Sequence, residues 1–138
     1  MSPADGLQEG RRQEFRVAGQ PEPLSHYTHA VRADGLLFVS GCVPVDGAGT
    51  LVGGDDVTEQ ARQVFRNIGA CLAAAGATFA DVVKVSVFLT RLEDRAGVDI
   101  ARREVFGATR PASTLVEVSG LLVPGARIEV EAVALLPR

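Results

Sequence analysis

The feature that most limits the fold is an imbalance between strand and helix. Residues 126–136, ARIEVEAVALL, place Ile128, Val130, Ala132 and Ala134 on one side of a strand and Arg127, Glu129, Glu131 and Val133 on the other. Four more stretches read as strand: EFRVA at 14–18, HYTHAVRA at 26–33, GLLFVSGCVPV at 35–45 and DVVKVSVFLT at 81–90, the last apolar at Val83, Val85, Val87 and Leu89. STLVEVSGL, from Ser113, adds a sixth after Pro111, which keeps Arg110 extended. Only two stretches read as helix. In the first, Val57, Ala61, Val64, Phe65, Ile68, Cys71, Leu72 and Ala75 recur at helical spacing, with Asp55 and Asp56 at the start and Gly76 at the end. The second spans roughly 95–106, with Asp94 as its expected cap. Two helices can cover one face of a mixed sheet, which predicts an α+β layer fold. The other face also carries Val and Leu, so a second copy is expected to cover it.

The rest of the chain agrees with one domain. It has 138 residues, 46% hydrophobic and 22% charged, enough for one core built mainly from Val, Leu, Ile and Ala because there are only six Phe, one Tyr and no Trp. Residues 1–13 read as a polar lead-in without an apolar signal core, which places the expected domain at 14–138 and the protein in the cytoplasm. No apolar run reaches the ~18 residues of a membrane span. A net charge of −3 with no basic stripe argues against nucleic acid as partner. Asp34-Gly35 is a turn signal between the second and third strands.

The chemistry-bearing residues are few. Cys42 and Cys71 form no metal or redox motif and are expected to stay reduced. His26 and His29 are three apart in a segment running into a strand, where such residues face opposite ways, and no further Cys or His completes a zinc site. No metal and no cofactor are expected.

HYTHAV, LLFVSGCVPVD, VFRNIGACLAAAGATFADVVKVSVFLT, PASTLVEV and IEVEAVAL occur in the order and spacing of the RidA family, also called YjgF, which this chain resembles over nearly its whole length from about residue 20. The resemblance implies a chorismate mutase-like fold, a homotrimer whose sheets form a central barrel, and a small-molecule cleft at each subunit interface. It implies hydrolysis of reactive enamines and imines, such as 2-aminoacrylate and its 2-imino tautomer, to 2-keto acids and ammonia. Carried over residue by residue, it makes Glu129 the group that orients water and Tyr27 a catalytic residue shaping the cleft. Ser40, Gly41, Cys42 (glutamine in the family) and Asp99 (asparagine in the family) would contact the ligand. So would Ser113, with Thr114 beside it, where active deaminases carry the arginine of PARS. Serine offers one neutral hydrogen bond in place of a bidentate charged pair, so a substrate without a carboxylate there, or another arginine, is expected. Arg110 and Arg127 are the candidates, also readable as a loop surface charge and a surface ion pair respectively. A non-catalytic metabolite-binding or regulatory trimer is the alternative function. A ribonuclease or translation inhibitor is a third, disfavoured by the acidic balance.

Overall fold

The computed structural model describes residues 11–138. Six strands form one sheet: β1 Arg12–Phe15, β2 Ala30–Ala33, β3 Leu36–Cys42, β4 Val82–Leu89, β5 Ala112–Glu117 and β6 Ile128–Leu135. Two helices, α1 Val57–Ala74 and α2 Arg95–Phe106, are each preceded or followed by short 3₁₀ turns at Phe79–Asp81 and Leu92–Asp94. The strand order is β1-β2-β3-β6-β4-β5, antiparallel throughout except for the parallel pair β4 and β5. The chain therefore has the expected α+β, chorismate mutase-like layering, with two helices on one face of a mixed sheet.

Local chemistry accounts for the element ends. β2 and β3 are joined by Asp34-Gly35, and the left-handed conformation falls on Asp34 (φ 50°), a residue that tolerates it. Asp56 caps α1 by accepting from the N–H groups of Thr58 and Glu59 at 3.0 and 3.3 Å. Gly76 (φ 79°) ends it, with the N–H of Ala77 returning to the carbonyl of Leu72. Helix α1 lies across β3 and β6 and packs on α2. Phe65, Phe79 and Phe106 meet edge to face between the helices and the turn before β4. Ile128, Val130, Ala132 and Ala134 are buried against the helices, as their alternation requires.

Three local expectations shift. The first strand lies at Arg12–Phe15, not 14–18, so residues 12 and 13 of the expected lead-in pair in the sheet, while residues 1–10 of it lie outside the described residues. In β4 the buried residue is Val82, and Val83 is exposed, because the β4–β6 register shifts between Val82 and Lys84. Asp94 precedes α2 without making a capping bond, because Arg127 takes its carboxylate.

The face away from the helices stays apolar and open. Phe38 and Leu135 are 46% and 55% exposed, and Leu36 and Val116 share that face. No helix among the described residues is long and apolar enough to cross a membrane.

Candidate functional site

The site is built on an irregularity between the two central strands. The β3–β6 ladder is regular from Leu36 opposite Leu135 to Val39 opposite Ala132, and resumes with Cys42 opposite Val130. One extra residue on β3 is accommodated at Ser40-Gly41, a β-bulge that turns Cys42 inward and sets Gly41 beside Glu129. A Cβ on Gly41 would stand 2.7 Å from Glu129 Oε2 and 2.9 Å from its Cδ. Only glycine lets the carboxylate lie so close to the β3 backbone.

Glu129 itself is half-buried, and no hydrogen bond or ion pair among the described residues reaches its carboxylate. Burial, with a smaller push from the charge of Glu131, holds its pKa above the usual glutamate value. A partly desolvated carboxylate with no cation beside it among the described residues holds a proton more readily than an exposed glutamate does. It opens onto a cleft of about 520 Å³ that it shares with Tyr27, Ser40 and Gly41. The loop at Gly120, Leu121 and Leu122 forms the other wall.

Tyr27 is 48% exposed, and its hydroxyl accepts only a long bond, 3.4 Å, from the N–H of Leu24. The Ser40 hydroxyl donates to the Thr28 carbonyl at 2.6 Å, which fixes its oxygen at the edge of the cleft. His29 is locked: its Nδ1 accepts from the Val17 N–H and its Nε2 donates to the Pro21 carbonyl, both at 2.8 Å. It holds the loop that carries Tyr27, and neither nitrogen is left for a metal or a substrate proton. His26 is exposed.

Behind the cleft, on the helix side of the bulge, lies a second cavity of about 300 Å³. Tyr27, Ser40 and Gly41 line both spaces. Cys42 and Cys71, distant in sequence, both line the inner one. A hydrogen bond with Cys71, burial, and the negative charge of Glu129 push the Cys42 thiol well above its usual pKa, which leaves it a protonated wall of the cavity and not a nucleophile at neutral pH.

The remaining predicted residues stand apart from Glu129 within one chain. Ser113 and Thr114 are exposed on the edge strand β5, opposite Val85 and Ser86 of β4. With strands ~4.8 Å apart and ~3.4 Å per residue along them, Ser113 stands roughly 14 Å from Glu129. The Thr114 hydroxyl accepts from Lys84 Nζ at 2.6 Å. Arg110 is exposed just before that strand. Asp99 lies on the outer side of α2 and pairs with Arg103 at 2.7 Å, which holds its carboxyl below the usual range. Arg127 is neither a surface charge nor available to a ligand. Its Nε and Nη2 bind both oxygens of Asp94 at 3.0 and 2.5 Å, its Nη1 binds the Asp55 carbonyl, and the two side chains are 19% and 8% exposed.

Two residues that shape the site escaped the sequence reading. Gln60 is buried and donates to the carbonyls of Gly54 and Gly125 while accepting from the Arg127 N–H, which fixes where β6 begins. Asn67 donates to the carbonyls of Val43 and Val45 and accepts from Gln63 Nε2, which holds the segment after Cys42 against α1. Their signal was positional: Gln60 and Asn67 fall on the apolar stripe of α1 with Val64 and Cys71.

Comparison with known proteins agrees with this geometry. The family model described as Endoribonuclease L-PSP matches residues 17–136. A RutC family protein of Pyrococcus horikoshii is 42% identical over 115 residues, covering 83% of this chain and 90% of that protein. The human protein named 2-iminobutanoate/2-iminopropanoate deaminase is 36% identical over 125 residues, 90% of each chain. The crystal structure of RidA from an Antarctic Psychrobacter superposes with a TM-score of 0.84 at 31% identity, over 90% of this chain and 99% of that one. The chain belongs to the Endoribonuclease L-PSP family, the RidA or YjgF family that its motifs resemble.

Proposed function

We propose that this chain hydrolyses an imine or enamine to a carbonyl compound and ammonia, at clefts completed by a neighbouring copy in a homotrimer. The observation that carries the proposal is Glu129: a half-buried carboxylate with a raised pKa, seated against Gly41 with no cation paired to it among the described residues. The name of the human relative supports the reaction class.

The chemistry needs one proton carrier. Attack of water on the protonated C=N carbon forms the C–O bond, and the water proton passes to the Glu129 carboxylate. The carbinolamine so formed takes that proton on nitrogen, the C–N bond breaks to release ammonia, and the hydroxyl gives its proton to the Glu129 carboxylate as the carbonyl forms; that proton then passes to the departing ammonia as ammonium. Tyr27 and the fixed Ser40 oxygen stand where they can orient the substrate nitrogen and the water.

Two observations support the assembly. Phe38, Leu36, Leu135 and Val116 leave an open apolar face, which a barrel of three sheets would bury. Ser113 and Thr114 lie on an edge strand, and Arg110 just before it, far from the same chain's Glu129, so they would reach a Glu129 from a neighbouring subunit. Serine in place of arginine there favours a substrate held by hydrogen bonds, without a carboxylate anchored at that point. Among the described residues, one chain's own lining of the cleft includes no lysine or arginine, and a single Arg110 from a neighbour gives little support to phosphodiester cleavage.

The test is ammonia release from imines generated in situ by an amino acid oxidase, with oligomeric mass measured by light scattering. Wild type should accelerate release as a trimer, and Glu129→Gln should lose about a hundredfold or more. A trimer that leaves the background rate unchanged, with Ser113→Arg equally inert, would overturn the hydrolysis of 2-imino acids.

A further inference from the structure

The inner cavity is larger than the smallest imines require. We propose that it is the subsite for a bulky apolar substituent, so that the substrates of this chain carry an aromatic or branched aliphatic group. This rests on the reading of Glu129 as the reacting centre and names the substrate class for it.

Volume gives the first argument. The cavity holds about 300 Å³, and an apolar protein cavity of about 150 Å³ already admits benzene. A methyl group would leave most of this space empty or filled with water that has few partners. The lining gives the second. Leu24, Val43, Val45 and Val123 supply aliphatic surface, and Cys42 and Cys71 supply thiols that behave as small apolar groups.

Three polar side chains at the inner end of the wall are already satisfied by the protein, while Gln20, Glu22 and Tyr27 line the side formed by the loop before β2. The Ser40 hydroxyl is bound to the Thr28 carbonyl. Both nitrogens of His29 are engaged. The Asn67 amide is bound through its nitrogen to the carbonyls of Val43 and Val45, and through its oxygen to Gln63. An entering apolar group therefore strips no hydrogen bond from Ser40, His29 or Asn67, and an entering polar group finds no partner in these three.

Position gives the third argument. The cavity and the cleft share Tyr27, Ser40 and Gly41 as a common wall. A substrate with its C=N carbon at Glu129 can direct a side chain past the bulge into the inner space. The neutral Ser113 at the neighbouring subunit's edge fits the same class, since the binding energy then comes from the side chain and not from a carboxylate.

The experiment compares kcat/KM for the imines made in situ from phenylalanine and from alanine. In wild type the phenylalanine-derived imine should be preferred by tenfold or more. Cys71→Leu fills the cavity from α1, and Ala48→Phe fills it from an exposed loop where folding is not at risk. In either, the ratio should fall about tenfold. A wild-type ratio at or below one, or a ratio unchanged in both folded variants, overturns the proposal. If wild type turns over neither imine, the deaminase reading fails, and the cavity is then judged by binding. Phenylacetone should raise Tm in wild type more than acetone does, and Ala48→Phe should abolish the difference; no difference in wild type overturns the subsite.

Discussion

Arg127 and Glu129 stand two residues apart at the start of β6 and receive opposite treatment from the fold. Arg127 is enclosed, and every direction of its guanidinium is answered, by Asp94 and by the Asp55 carbonyl. Its neighbour Gln60 has its donors and its acceptor matched as well. Glu129 is half-buried beside Gly41 with another carboxylate, Glu131, adding to its charge. One charge has been built into the scaffold, and the other has been left with its proton affinity raised. The difference separates a group that holds the loops from one that the fold leaves unpaired among the described residues, the one proposed to react.

The largest effect should come from breaking the enclosed pair. Asp94→Ala leaves Arg127 with little solvent, no paired carboxylate and only the weaker charge interactions of Asp55 and Asp56, and should cost about 3 kcal/mol in urea unfolding. Glu129→Gln should do the reverse. Burial places the folded-state pKa of Glu129 above its unfolded value, so the native state binds the proton more tightly and stability falls as pH rises through that window. The amide removes this penalty, and Tm above that window should rise while activity is lost. A fall in Tm for Glu129→Gln would mean that the carboxylate has a structural partner, and the contrast with Arg127 would collapse.

A smaller effect separates position from charge. Gly41→Ala leaves every ionisable group in place but puts a Cβ 2.7 Å from Glu129 Oε2. That atom ends a flexible side chain, so the carboxylate can move aside, and stability should change by less than about 1 kcal/mol. Displacement of the carboxylate by about 1 Å should nevertheless lower kcat/KM tenfold or more. Equal activity in Gly41→Ala would show that the close approach to the β3 backbone is incidental.

How much of this was legible in the sequence depended on whether a residue's environment is set by near or distant chain. Helix α1 was readable at both ends because Asp56 and Gly76 act within one turn. The Asp34-Gly35 hairpin was readable for the same reason. β1 was misplaced because RQEF is exposed at three of its four residues and carries no alternation, being held only by its ladder with β2. Val83 was placed on the wrong face because a register shift against β6 cannot be seen in β4 alone. The motif match singled out Glu129, Tyr27, Ser40 and Gly41, which the fold brings to one cleft. It could not show why Gly41 must lack a side chain, since that depends on the extra residue in β3. Nor could it show that Arg127 is spent on Asp94, because 3₁₀ turn and strand meet only in the folded chain.

The smallest effect is also the sharpest, because it changes no shape. Glu131 lies on the same face of β6 as Glu129 and raises its pKa through charge, behind burial as the larger cause. If Glu129 acts as the base, the acid limb of kcat/KM against pH reports its ionisation in the free enzyme. That limb should lie above the ordinary glutamate range in wild type. Glu131→Gln removes only the repulsion, so the limb should move to lower pH while the plateau rate stays within about twofold. The limb should remain above the ordinary range, because burial is untouched. A limb that ignores Glu131 but disappears in Glu129→Gln would leave burial as the sole cause of the shift. A limb that ignores both would assign the proton transfer to another group, and Tyr27 and the substrate nitrogen would be next in line.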